Sequence, residues 1–139
     1  MIKFPYLELE VLPSPASKKK RKIFRPIIPL ILIYGKNIVG YDALIDSGSD
    51  YNVFDAEVAQ YLGIRITSGY KRQIVGLGGK TIKGYEHTIT LKIGDKQYKT
   101  QAIFSKEIPA DSFGVLGNQG FFDQFKVTFD YSWKIVTLK

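Results

Sequence analysis

The chain has 139 residues, 45% of them hydrophobic, no cysteine, one histidine and a formal net charge of +7. This length suits one domain with a modest core, and the missing cysteine excludes disulfides, thiolate nucleophiles and cysteine-ligated metals. His87 alone cannot form a histidine cluster for a structural zinc, so carboxylates are the main candidates for acid–base chemistry. The charge is uneven: residues 1–25 carry seven of the 20 Lys and Arg against Glu8 and Glu10, net +5, and the remainder is nearly balanced at +2.

Residues 3–12 read as a strand, with Leu7, Leu9 and Val11 alternating against Glu8 and Glu10. That alternation is unlike a secretory signal, which places its charges before an apolar stretch. Pro13-Ser14-Pro15-Ala16-Ser17 breaks regular structure. Lys18-Lys19-Lys20-Arg21-Lys22 follows as a solvated hairpin tip or loop; the alternative is weak contact with an anionic surface or nucleic acid, without base readout. Ile27 to Ile33 is apolar, but Pro29 interrupts it and it falls short of the roughly 20 residues a membrane helix needs. The expectation is a soluble, cytoplasmic protein with neither a membrane nor a specific nucleic acid as partner.

From residue 26 the pattern is mostly β. Ile27 to Tyr34 and Ile38 to Ile45 read as strands around a turn at Gly35-Lys36-Asn37, and Tyr51 to Phe54 as a short strand. Asp55 can cap a short helix running to Gly63, with Val58, Ala59 and Leu62 as its buried face. Further strands are expected at 70–75, 81–93 and 96–104, at Val115-Leu116, and at Lys126 to Asp130 and Lys134 to Leu138, with a helical turn near Gln119 to Phe122. Many short strands joined by glycine-rich turns point to a closed or orthogonally packed β domain.

Three elements carry the chemistry. In Ala43-Leu44-Ile45-Asp46-Ser47-Gly48-Ser49-Asp50 an apolar strand delivers a carboxylate to its end. Gly48 permits a tight turn there, and the Ser47 hydroxyl can orient the carboxylate; an ordinary Asx or Ser turn is the plainer reading. Phe113-Gly114-Val115-Leu116-Gly117-Asn118 is a second apolar pair ending in glycine, able to cross beneath that loop. Between them, Ile74-Val75-Gly76-Leu77-Gly78-Gly79-Lys80-Thr81 has the composition of a mobile hairpin tip over a groove. It is not a P-loop, because that spacing needs glycine where Ile74 stands.

Together these segments resemble the retropepsin-like aspartic peptidases, in their genome- or retroelement-encoded branch. Asp46-Ser47-Gly48 is similar to the Asp-Thr/Ser-Gly signature, Val115-Leu116-Gly117 to the hydrophobic-hydrophobic-Gly scaffold, and Val75 to Lys80 to the flap tip; Phe121 to Tyr131 is similar to the ending of such members. The resemblance spans roughly residues 26–138. It implies an all-β, closed barrel-like acid protease fold with one or two short helices, a single lobe, and a homodimer with a groove for extended peptides. Asp46, Ser47 and Gly48 are the implied catalytic residues. Ser49, Asp50, Ile74, Gly76, Leu77, Gly78, Gly79 and Val115 are implied for substrate, and Leu116, Gly117 and Asn118 for the scaffold. No cofactor or metal is implied, since the nucleophile is water. Asn118 stands where viral members have an arginine, so the resemblance does not carry over their interface ion pair with the aspartate matching Asp50, although Asn118 can still hydrogen-bond. Residues 1–25 read as an N-terminal strand plus a basic loop extension, and residues 26–139 as the peptidase domain. The competing function is a catalytically silent domain of the same type that binds peptides or dimerises.

Overall fold

A computed structural model of the chain describes residues 1–16, 18–109 and 112–139. Ser17, the end of the expected Pro13–Ser17 break, lies outside the described residues. Alternating burial defines the first long strand, β4 (Ile27–Tyr34): Ile28, Leu30 and Leu32 are buried, and Pro29 and Ile31 face outward. β4 pairs antiparallel with β5 (Asn37–Ile45), which runs to the threshold of Asp46. After β6 (Val53–Asp55), the Asp55 carboxylate accepts the Glu57 N–H at 3.0 Å and caps helix α1 (Ala56–Tyr61). Val58, Ala59 and Leu62 are buried, as the helical periodicity requires. Three strands follow, β7 (Tyr70–Val75), β8 (Thr81–Ile93) and β9 (Lys96–Ser105), each antiparallel to the next.

The late strand β10 (Gly114–Leu116) enters the sheet between β5 and β6, giving the order β4-β5-β10-β6-β9-β8-β7. Phe54, Phe104, Phe121 and Leu116 are fully buried beneath this sheet and form the centre of the core. A separate sheet joins β1 (Ile2–Pro5), β12 (Ile135–Leu138) and β11 (Val127–Asp130) in that order, and among the described residues β2 (Leu7–Val11) pairs only with β3 (Arg21–Arg25).

The expected closed barrel is therefore corrected. The described strands divide among three sheets, and the largest leaves β7 as an edge strand paired on one side only. The physical reason lies in β8, which is 13 residues long and divides one of its edges. Its first half carries β7, while Thr90 to Lys92 touch β4 over three residues, Ile31 to Ile33. The sheet curls back on itself there without becoming one barrel of all the strands. Among the described residues, helical content is a single α-helix with two short 3₁₀ turns; Gln119 is bridged to Tyr51, and the expected helical turn is a non-helical turn over Gly120 to Gln124. The expected strand at 3–12 is two strands, because the chain changes sheets at Tyr6, whose N–H donates to the Lys134 carbonyl at 2.8 Å. Among the described residues, no helix is long and apolar enough to cross a membrane.

Candidate active site

The floor of the site is made by two loops that fasten each other. β10 lies parallel to β5, with Gly114 opposite Ala43, Val115 opposite Leu44 and Leu116 opposite Ile45. The pairing continues one residue further, where the Asp46 N–H donates to the Leu116 carbonyl at 3.0 Å. Asp46 then opens a turn: its carbonyl accepts the Ser49 N–H at 3.1 Å and its Oδ1 accepts the Gly48 N–H at 2.9 Å. The orienting donor on the carboxylate is thus the Gly48 backbone. Ser47 is exposed and engages through its carbonyl, which accepts from Asn118 Nδ2 at 3.2 Å.

Two more backbone bonds complete the seam, from Asn118 N–H to the Ser49 carbonyl at 2.8 Å and from Gln119 N–H to the Asp50 carbonyl at 2.9 Å. The loops pass so closely that a Cβ on Gly117 would overlap the backbone oxygens of Tyr51 and Ser49, which accounts for glycine there. Beneath them, Asn52 is fully buried and uses both ends of its amide. Its Oδ1 accepts the Gly117 N–H at 3.0 Å, and its Nδ2 donates to the Gln101 carbonyl at 3.3 Å. Tyr41 closes the underside with its ring edge-on to Phe54; burial raises its hydroxyl above the ordinary value, so it remains protonated there.

Above the floor, β7 and β8 form a hairpin whose tip is closed by a bond from Gly76 N–H to the Lys80 carbonyl at 2.7 Å. Gly78 and Gly79 both take φ near +75°, the left-handed region that favours glycine. Between tip and floor lies a groove of about 740 Å³. Of the residues singled out from sequence, Asp46, Gly48, Ser49 and Asp50 line its floor. Ile74, Gly76 and Leu77 line the hairpin side, and Val115 the base. Ser47, Gly78, Gly79, Leu116, Gly117 and Asn118 do not line it. Sequence reasoning missed Ile82, Ile108 and Phe113 on the walls, and Asn52 below. Ile82 was accessible through hairpin register, since it pairs with Ile74. Phe113 adjoins the recognised Gly114, whereas Ile108 and Asn52 belong to no motif.

The aspartyl protease family model matches residues 33–119, more than half of the chain. No curated protein sequence matches it. Solved structures with the same fold include EIAV protease complexed with the inhibitor HBY-793, 26% identical over 68% of this chain and 82% of that one, TM-score 0.51. A retropepsin-like aspartic protease from Rickettsia conorii is 20% identical over 93% and 96%, TM-score 0.59. The retroviral protease-like domain of Ddi1 from Leishmania major is 13% identical over 83% and 88%, TM-score 0.54; at these last two identities the likeness is one of fold. The chain belongs to the retropepsin-like aspartic protease family, and with it to the hydrolase class.

Proposed function

We propose that the protein is an aspartic endopeptidase that works as a homodimer, each subunit contributing one Asp46 to a shared site. The observation that carries this reading is the Asp46 carboxylate, held by the Gly48 N–H at the floor of a groove roofed by a glycine-tipped hairpin. One carboxylate cannot both activate water and protonate the leaving group, and each subunit has a single Asp-Ser-Gly loop. Two carboxylates about 3 Å apart share one proton, as in aspartic proteases generally, because both do not ionise at that separation. The ionised Asp46 takes a proton from water, which attacks the peptide carbonyl. The protonated Asp46 polarises the carbonyl oxygen, and a proton then passes to the leaving nitrogen. Water is the nucleophile, so the reaction needs no cofactor.

Ser47 and Gly48 shape the carboxylate loop; Leu116, Gly117 and Asn118 hold it from below. Gly76 to Gly79 exclude solvent and offer backbone hydrogen bonds to an extended peptide, while Ser49 and Asp50 meet it from the floor. Ile74, Leu77 and Val115 favour apolar side chains beside the scissile bond. The test is peptide hydrolysis at mildly acidic pH by wild type, by Asp46→Asn and by mixtures of the two. Asp46→Asn retains the fold and loses activity, and an equal mixture with free subunit exchange retains about one quarter of the wild-type rate, the share of all-wild-type dimers. Full activity from Asp46→Asn, or from a confirmed monomer, refutes the mechanism. Dimerisation without hydrolysis by the wild type identifies the silent peptide-binding alternative.

A further inference from the structure

β8 changes partners along its length. Tyr85 to Ile93 are laddered to β9, and Thr81 to Glu86 to β7, so residues 81–84 are where the hairpin leaves the body of the protein. There both backbone groups of Lys83 are gripped by the last residue of β9 and the segment that follows it. Ser105 Oγ donates to the Lys83 carbonyl at 2.6 Å, and the Glu107 carboxylate accepts the Lys83 N–H. Ser105 is buried, and its Oγ also accepts the Glu107 N–H at 3.1 Å, which locks the two gripping residues together. Beside them, a Cβ on Gly84 would sit 2.5 Å from Ile103 Cγ2 and 2.8 Å from the Phe104 carbonyl oxygen. The hairpin is therefore held against the end of β9 at Lys83 and Gly84, where it leaves the body of the sheet.

The same segment continues into the groove. Ile108, immediately after Glu107, lines it, as do Ser112 and Phe113 further on. We infer that Glu107 is a positioning residue that holds the inner hairpin strand, β8, at Lys83 and so keeps hairpin and groove wall in step. When the hairpin lifts to admit a peptide, the wall bearing Ile108 moves with it; when it closes, the wall returns. The inference rests on reading the hairpin as the flap over a peptide groove. A carboxylate accepting a backbone N–H makes a strong, charge-assisted bond. Glutamine at this position keeps an acceptor oxygen of the same reach, and alanine keeps none.

The test compares Glu107→Ala and Glu107→Gln with wild type by residue-resolved amide hydrogen exchange and by peptide kinetics. In Glu107→Ala, exchange over residues 74–83 rises roughly tenfold or more, exchange in α1 is unchanged, and KM rises several-fold with a smaller change in kcat. Glu107→Gln restores both readouts toward wild type. Unaltered exchange in the hairpin of Glu107→Ala, or an equal rise in α1, overturns the inference. If the wild type cleaves no peptide yet the exchange pattern appears as described, the peptidase reading fails and the mechanical link stands.

Discussion

Asn52 reaches across 65 positions of sequence to accept the Gly117 N–H at 3.0 Å, and is itself entirely shielded from solvent. This one amide ties the floor loop to the strand that follows it and, through Nδ2, to Gln101 of β9. Removing it leaves a buried donor without a partner, which costs about 1–3 kcal/mol. Asn52→Ala is expected to lose stability in that range by urea unfolding, together with activity. Asn52→Asp keeps the acceptor but buries a charge, and is expected to be at least as damaging. Wild-type stability in Asn52→Ala would show that the bond is dispensable.

Gly117 and Gly40 make a contrasting pair. A Cβ at Gly117 overlaps backbone oxygens, which cannot rotate away, whereas one at Gly40 meets nothing within 4 Å. Gly117→Ala is expected to destabilise by about 1–3 kcal/mol through overpacking and to abolish hydrolysis by displacing the Asp46 loop. Gly40→Ala is expected to be neutral or to stabilise by up to about 1 kcal/mol, by restricting the unfolded chain. Denaturant midpoints of the two variants decide the matter; equal effects would remove the steric argument.

The turn between β11 and β12 has its own acid dependence. The Asp130 carboxyl is held below the usual carboxylate range, first by the Ser132 hydroxyl at 2.6 Å and then by the Trp133 N–H at 3.1 Å. A depressed folded-state value means that the turn's contribution is complete above the ordinary carboxylate value and is lost as pH falls through the folded one. Mildly acidic assay conditions therefore leave Asp130 ionised. NMR titration is expected to give Asp130 a midpoint below that of a free aspartate, and Ser132→Ala is expected to move it upward. A midpoint unmoved by Ser132→Ala would exclude the hydroxyl as the main cause.

We further propose that residues 26–139 fold without the extension, at a cost in stability. β1 pairs with β12 over four residues, and Ile2 and Phe4 pack against the core. Losing these contacts costs about 2–3 kcal/mol, since both side chains are only partly buried. Proteolysis at the exposed Lys18 to Lys22 run is expected to nick the chain readily. A separately expressed 26–139 fragment should unfold cooperatively at lower denaturant than the full chain. A fragment that is unfolded in water would make β1 indispensable.

The elements that sequence described well depend on neighbours. The Asp55 cap, the Gly78-Gly79 hairpin tip and the alternation from Thr81 to Ile93 are local signals, and they appear where periodicity puts them. What escaped depends on distant partners. Tyr6 switches sheets because the Lys134 carbonyl awaits it, and nothing near Tyr6 announces that. The closed barrel failed as an expectation because the divided edge of β8 depends on how two other strands compete for it. In the site, the Asp46 loop and Val115 were legible as motifs, whereas Asn52 is a lone polar residue whose importance comes from burial. Ile108 lines the groove next to Glu107, whose bond to Lys83 no composition signal records.

The placement of β10 between β5 and β6 also sets a schedule. Asp46 has left the ribosome long before Gly114 to Leu116 are made, yet its loop has no floor until that late strand slides in between two earlier ones. The sheet cannot finish by adding strands at its edge; a gap must stay open, or reopen, around the missing middle. Such distant pairing slows folding, and it gives a nascent chain interrupted before residue 114 the aspartate without its cradle.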